Sequence, residues 1–171
     1  LLLAASLFAS TAIGAATMGF YFDYTPGKMT LAPEPWSFFD VYLYLHDAPY
    51  FITAIEYRMQ VPSSPANGLF LLEWTWAPGT ILELGDPLTG HSLAFWPPLN
   101  GLDPGYTLIC TYTCMTSLPC SMENGLSNYC LVVGPHPASG AIRGAYYPDN
   151  LLFPITGLTS YLCPYYVGTE E

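Results

Sequence analysis

Apolar and polar positions alternate along most of the chain. The clearest case is ITAIEYRMQV at residues 52–61. Successive strand side chains point to opposite faces, so Thr53, Ile55, Tyr57, Met59 and Val61 share one face, and Ile52, Ala54, Glu56, Arg58 and Gln60 share the other. The first set is assigned to the core. Similar short runs, rich in β-branched and aromatic residues, occur at 19–24, 37–46, 69–76, 80–84, 91–96, 106–112, 129–133, 140–147 and 157–163. The segments between them include PGK, APEP, SSPANG, APG, GDPLTG, PPLNGLDPG, GPHPASG and YPDN, which carry the Pro, Gly, Asn and Asp that turns require. After position 17 no ten-residue stretch combines a 3.6-residue apolar period with freedom from Pro, Gly and β-branched clusters. The pattern predicts an all-β fold, a two-layer antiparallel β-sandwich of seven to ten strands. Its expected core includes Phe39, Val41, Leu43, Ile55, Tyr57, Met59, Leu72, Trp74, Leu108 and Ile142.

The first sixteen residues, LLLAASLFASTAIGAA, break this alternation with an uncharged apolar run that ends in small residues. That is the pattern of a secretory signal peptide, with processing expected after Ala16 or, as a second choice, after Gly14. The run falls short of the roughly 20 residues needed to span a bilayer. Without a starting Met or a basic segment, it reads as the interior of a longer leader. The expected organisation is therefore a signal segment at 1–16 and a single sandwich domain at 17–171, with a Cys-rich insertion at about 110–130. No membrane span is expected in the mature chain.

Composition narrows the function. Only 9% of the 171 residues are charged, and three basic against thirteen acidic residues give a net charge of −10. Lys28, Arg58 and Arg143 are too few to neutralise a run of phosphates, so nucleic acid is excluded as a partner. Five cysteines, Cys110, Cys114, Cys120, Cys130 and Cys163, follow the spacing C-x3-C-x5-C-x9-C over the first four. In an exported chain this reads as disulfides before zinc, because paired C-x2-C knuckles are missing. If 106–112 and 129–133 are neighbouring strands, Cys110–Cys130 and Cys114–Cys120 are the favoured bridges, with Cys163 left over.

No catalytic residue is predicted. His46, His91 and His136 match no helical ligand spacing and are assigned to strand ends and a hairpin loop. No G-x-S-x-G elbow occurs. Asp23, Asp40, Asp47, Asp86, Asp103 and Asp149 lie at strand ends or turns. Calcium takes oxygens from such loops and is the one cofactor kept open, against the alternative that a turn Asp bonds its own backbone. A small glycoside-active enzyme with two carboxylates in a cleft is a minor alternative. Trp74, Trp76 and Trp96 are the candidate glycan platform, set against a core or contact role.

GFYFD at 19–23, VYLYLHDAP followed by ITAIEYRM, GDPLTG with SLAF, and HPASGAIRG occur in that order. Together they resemble a family of uncharacterised exported bacterial proteins with cohesin-like or immunoglobulin-like β-sandwich domains. The ending YVGTEE resembles the close of those domains, short of their Trp-containing basic tail, while the cysteine-rich insertion departs from them. The resemblance implies a sandwich fold, export, and a non-enzymatic structural or interaction role at a bacterial cell surface or in the extracellular space. Expected partners are a protein, a glycan or a second copy of the chain; carbohydrate binding through exposed aromatics is the alternative function.

Overall fold

The computed structural model describes residues 16–48, 51–61, 69–101, 105–117 and 129–162. Twelve strands occur among them: β1 (Ala16–Tyr21), β2 (Thr30–Leu31), β3 (Phe38–His46), β4 (Phe51–Gln60), β5 (Leu69–Trp76), β6 (Thr80–Asp86), β7 (Gly90–Asn100), β8 (Tyr106–Thr116), β9 (Tyr129–Gly134), β10 (Arg143–Tyr146), β11 (Leu151–Gly157) and β12 (Thr159–Leu162). No helix occurs among the described residues.

One layer runs β5-β8-β3-β1 and the other runs β6-β7-β4-β10. β11 closes one side of the sandwich. Its first half pairs antiparallel with β10 of the second layer and its last residues pair parallel with β1 of the first. On the opposite side β5 and β6 are open edges, joined directly by the turn at 77–79. That turn is held to both layers, since Ala77 N–H donates to Ile109 O at 3.0 Å and Trp96 N–H donates to Gly79 O at 2.8 Å. Beyond Tyr57, β4 exchanges β7 for β9, which carries β12 and β2.

The core lies mostly where the period of two puts it, except that an irregularity between Ile52 and Ala54 turns Ile52, assigned to the outward face, into the core and leaves Thr53 half-buried with its hydroxyl on Asn150 Oδ1 at 3.0 Å. Met18 and Phe20, Val41, Leu43 and Leu45, Ile55, Tyr57 and Met59 are all buried. Phe39, Trp74 and Ile142 are half-buried against this cluster. Leu72 and Leu108 are corrections to the expected core. A bulge at Leu71/Glu73 leaves Leu72 47% exposed. A second irregularity, opposite Leu43/Tyr44, puts Leu108 in register with outward-facing Tyr44 and turns its neighbour Ile109 into the core. One extra residue reverses the parity of everything beyond it.

The strand bounds shift in a similar way. β1 begins at Ala16, whereas the pattern placed the first strand at 19–24, and 151–157, which contains Pro154, is a strand absent from the predicted set. Pro154 sits in register with Arg143 on β11, the strand that changes layers. Of the expected signal segment, residues 1–15 lie outside the described residues.

The cysteine expectation is corrected in part. β8 extends to Thr116, so Cys110 and Cys114 belong to its inner face and not to a loop, and both are buried. β8 pairs with β3 and β5, while β9 pairs with β4 and β12. The strands bearing Cys110 and Cys130 are therefore not neighbours. Cys110, Cys114 and Cys130 are free thiols. Cys120 and Cys163 lie outside the described residues. Burial pushes the Cys114 thiol up to about 12, with Asp40 adding to the shift, and drives Cys110 higher still. Both are inert at neutral pH.

Candidate interaction surface

The outer face of the β6-β7-β4-β10-β11 sheet is set by its register. One cross-strand row reads Leu82, Ala94, Ala54, Ala145, Leu152, and the next reads Leu84, Ser92, Glu56, Arg143, Pro154. Three small alanines form the floor and leucines stand at both margins. Leu82, Leu84 and Leu152 are 49%, 57% and 62% exposed, and Trp96, two residues beyond Ala94 on β7, is 63% exposed. Five strands about 4.8 Å apart give the row a width of roughly 19 Å. Such a contiguous apolar patch on a folded chain marks an interaction surface.

Local sequence holds this face in shape. In the β6–β7 hairpin the Asp86 carboxylate accepts from Leu88 N–H at 2.9 Å and Thr89 N–H at 3.0 Å, and also bonds the Thr89 hydroxyl. This is the self-capping expected of a turn Asp. Gly85 has φ +83°, and a Cβ there would overlap the Gly90 carbonyl oxygen, so the hairpin requires glycine. Asp23 behaves likewise, accepting from Gly27 and Lys28 N–H at 3.2 and 3.0 Å. In the second row Arg143 Nε donates to Glu56 Oε2 at 2.8 Å. Burial works against ionisation of Glu56, but Arg143, Ser139 and His136 outweigh it and hold the carboxyl below its ordinary value.

The inner side of the same edge carries a polar network that sequence reasoning missed. His91, expected at a strand end, is fully buried. Its Nδ1 lies 3.1 Å from the Tyr57 hydroxyl, which hydrogen-bonds the Tyr112 hydroxyl in the centre of the sandwich. Its Nε2 faces Glu83 Oε1 at 3.5 Å without forming a hydrogen bond. Burial lowers the His91 pKa and Glu83 partly offsets this, so the ring is neutral at pH 7. Glu83 instead accepts from two indoles, Trp74 Nε1 at 3.2 Å and Trp76 Nε1 at 2.8 Å. These bonds tie edge strand β6 to edge strand β5. An inward carboxylate on an edge also opposes pairing with a stray strand. The signal available in the sequence was Glu83 itself, a charge on the side of β6 that faces the core.

The three candidate platform tryptophans are not assembled. Trp74 and Trp76 share the inner face of β5, their ring centroids 6.1 Å apart and their planes tilted by 54°. Trp76 packs on His91 at 4.4 Å. Trp96 stands on the outer face of the other layer. Among the described residues no group of three or more His, Cys, Asp or Glu side chains could hold a metal ion. His136 bonds within its own loop, where its Nδ1 accepts from Ala138 N–H at 3.2 Å. His46 lies against Tyr106 and Asp47 on the opposite face.

This architecture is cohesin-like. The chain is similar in structure to the cohesin module of a family 33 glycoside hydrolase from Clostridium perfringens, with a TM-score of 0.55 at 9% identity, covering 86% of this chain and 95% of that one. A type I cohesin solved in a cohesin–dockerin complex from Clostridium thermocellum gives a TM-score of 0.56 at 6% identity, covering 86% and 92%. A non-cellulosomal cohesin from the archaeon Archaeoglobus fulgidus gives 0.53 at 10% identity, covering 86% and 91%. No family model and no curated protein matches the chain. These identities carry the fold, and they agree with the cohesin-like resemblance of the sequence. No helix among the described residues is long and apolar enough to cross a membrane.

Proposed function

We propose that this chain is an exported, non-enzymatic docking module that holds another protein on the outer face of the β6-β7-β4-β10-β11 sheet. The observation that carries the reading is the apolar row Leu82–Ala94–Ala54–Ala145–Leu152, whose two leucines, with Leu84 and Trp96 beside them, are exposed around a floor of small, less accessible alanines. Its leucines contribute little to folding and keep their apolar surface for a partner, at about 25 cal/mol per Å² covered. The similar structure from Clostridium thermocellum was solved as a cohesin bound to a dockerin, which supports a protein as the occupant here. The apolar, small-residue-ended N-terminal run supports export to the cell surface or beyond.

A photoreactive phenylalanine analogue at Leu84 tests the reading, with the protein expressed in its native host and adducts identified by mass spectrometry. A discrete protein adduct that is lost when Leu82 and Leu152 are both changed to Ser is expected. Adducts only to a second copy of the chain, or equal adducts from an analogue at Thr75 on the other layer, would refute it.

A further inference from the structure

The geometry points to a second docking surface, on the outer face of the β1-β3-β8-β5 layer, for an extended polypeptide segment with cationic side chains three residues apart. It goes beyond the docking face proposed above, since it uses the opposite layer and different chemistry.

Alternation turns Tyr21 of β1, Asp40, Tyr42 and Tyr44 of β3, Thr111 and Thr113 of β8, and Glu73 and Thr75 of β5 outward, and their register assembles them. Tyr21, Tyr42, Thr111 and Thr75 form one row, and Asp40, Thr113 and Glu73 form the next. Above the first row lies a network of rings. Tyr21 meets Tyr44 and Tyr106 at 5.7 Å each, Tyr24 meets Tyr42 at 5.7 Å, and His46 stacks on Tyr106 at 4.4 Å. Tyr21 and Tyr44 are buried beneath their neighbours, while Tyr24 and Tyr106 project to solvent.

Charge selects the occupant. Glu73 and Asp40 flank Thr113 two strand spacings apart, about 10 Å. Asp40 accepts from the Thr113 hydroxyl at 3.1 Å and, at the limit of bonding, from Tyr42 at 3.5 Å. Neither carboxylate has a cationic partner among the ion pairs of the described residues. Arg58 and Arg143 lie on the other layer and Lys28 in the loop after β1. Burial raises the Tyr21 and Tyr44 phenols to about 12, so they remain neutral and the face is anionic only through its carboxylates. An extended segment advances about 3.1 Å per residue, so Arg or Lys at positions i and i+3 spans both carboxylates. The exposed tyrosines add cation–π contacts at small entropic cost, having few rotatable bonds. Stacked sugars fit less well: Tyr21 stands at 81° to Tyr44 and 82° to Tyr106, which leaves no flat platform.

The test is calorimetric titration of the protein with a proline-rich peptide bearing Arg at i and i+3, at about 50 mM salt, where exposed charges are weakly screened. Binding is expected to weaken about tenfold in the Asp40→Asn/Glu73→Gln double variant, with a smaller loss in Tyr24→Ala, and to fall as salt rises. Leu82→Ser, on the opposite face, should leave it unchanged, which separates this surface from the first. Circular dichroism and melting of the double variant confirm that it is folded. No binding to about 1 mM peptide, equal binding of the peptide with Arg replaced by Gln, no loss in the double variant, or displacement by a neutral oligosaccharide would each overturn the proposal.

Discussion

The two outer faces of the sandwich use the same alternation but bury their large side chains differently. On the β1-β3-β8 side Tyr21 and Tyr44 are only 6% and 5% exposed, although both point away from the core. They are covered by one another and by Tyr106, and the Tyr44 hydroxyl bonds Tyr24 O. On the β6-β7-β4-β10-β11 side Leu82 and Leu152 stand opposite alanines and Leu84 opposite Ser92, so no large cross-strand neighbour covers them. The first face has converted its aromatic surface into folding energy. It leaves only Tyr24 and Tyr106 of that network exposed, whereas the second face keeps its leucines open. Outward position therefore does not settle a residue's role; the size of its cross-strand neighbours does.

Several measurements break or sharpen this contrast. The largest effect is expected at the strand that joins the faces. A Cβ on Gly157 would overlap the Val133 carbonyl oxygen, and rigid backbone cannot yield as a side-chain tip can. Gly157→Ala should cost about 3 kcal/mol or more, measured by denaturant unfolding, and a fully stable variant would contradict the close approach of β11 to Val133. Next is Tyr44→Ala, which removes a buried ring and its hydroxyl bond and should cost about 2–4 kcal/mol. A loss below about 0.5 kcal/mol would place Tyr44 with the exposed leucines.

Acid should act first on the inner edge of the docking face. His91 has a folded pKa below its ordinary 6.5, so the unfolded chain binds the proton more readily. Stability is complete above pH 6.5 and falls as pH drops from there toward the folded pKa. Glu56 and Asp86, held below 4.5 and 3.8, add losses only in more acid solution. His91→Gln should flatten the first part of the melting-temperature profile, just below pH 6.5, and leave the steeper acid limb. An unchanged profile would remove His91 from the account.

The smallest effect is the one that most separates the faces. Leu82→Ser and Leu152→Ser should each change unfolding free energy by no more than about 0.5 kcal/mol, as surface substitutions do. A loss of 2 kcal/mol in either would mean that those leucines are structural.

Much of this was legible in the residue pattern. The period of two in 52–61 identified Ile55, Tyr57 and Met59 as core, and the turn residues of GDPLTG and APG marked strand ends to within a few residues. These features depend on neighbours in sequence, which the chain states outright. Leu72 and Leu108 were misplaced because bulges reverse parity without leaving a Gly or Pro to announce them. Pairing Cys110 with Cys130 requires β8 and β9 to be neighbours, whereas β8 pairs with β3 and β5 and β9 with β4 and β12.

The sequence by itself determined that the chain is all-β and strongly acidic, because alternation and charge are local or additive properties. Only the tertiary structure decided that Leu82 and Leu152, 70 residues apart, flank one alanine floor, that Trp74 and Trp76 serve Glu83 and do not form a platform, and that His91 lies in the core. Each of these depends on which strands become neighbours. That choice is made by the combined burial of all the strands, and no short segment carries it.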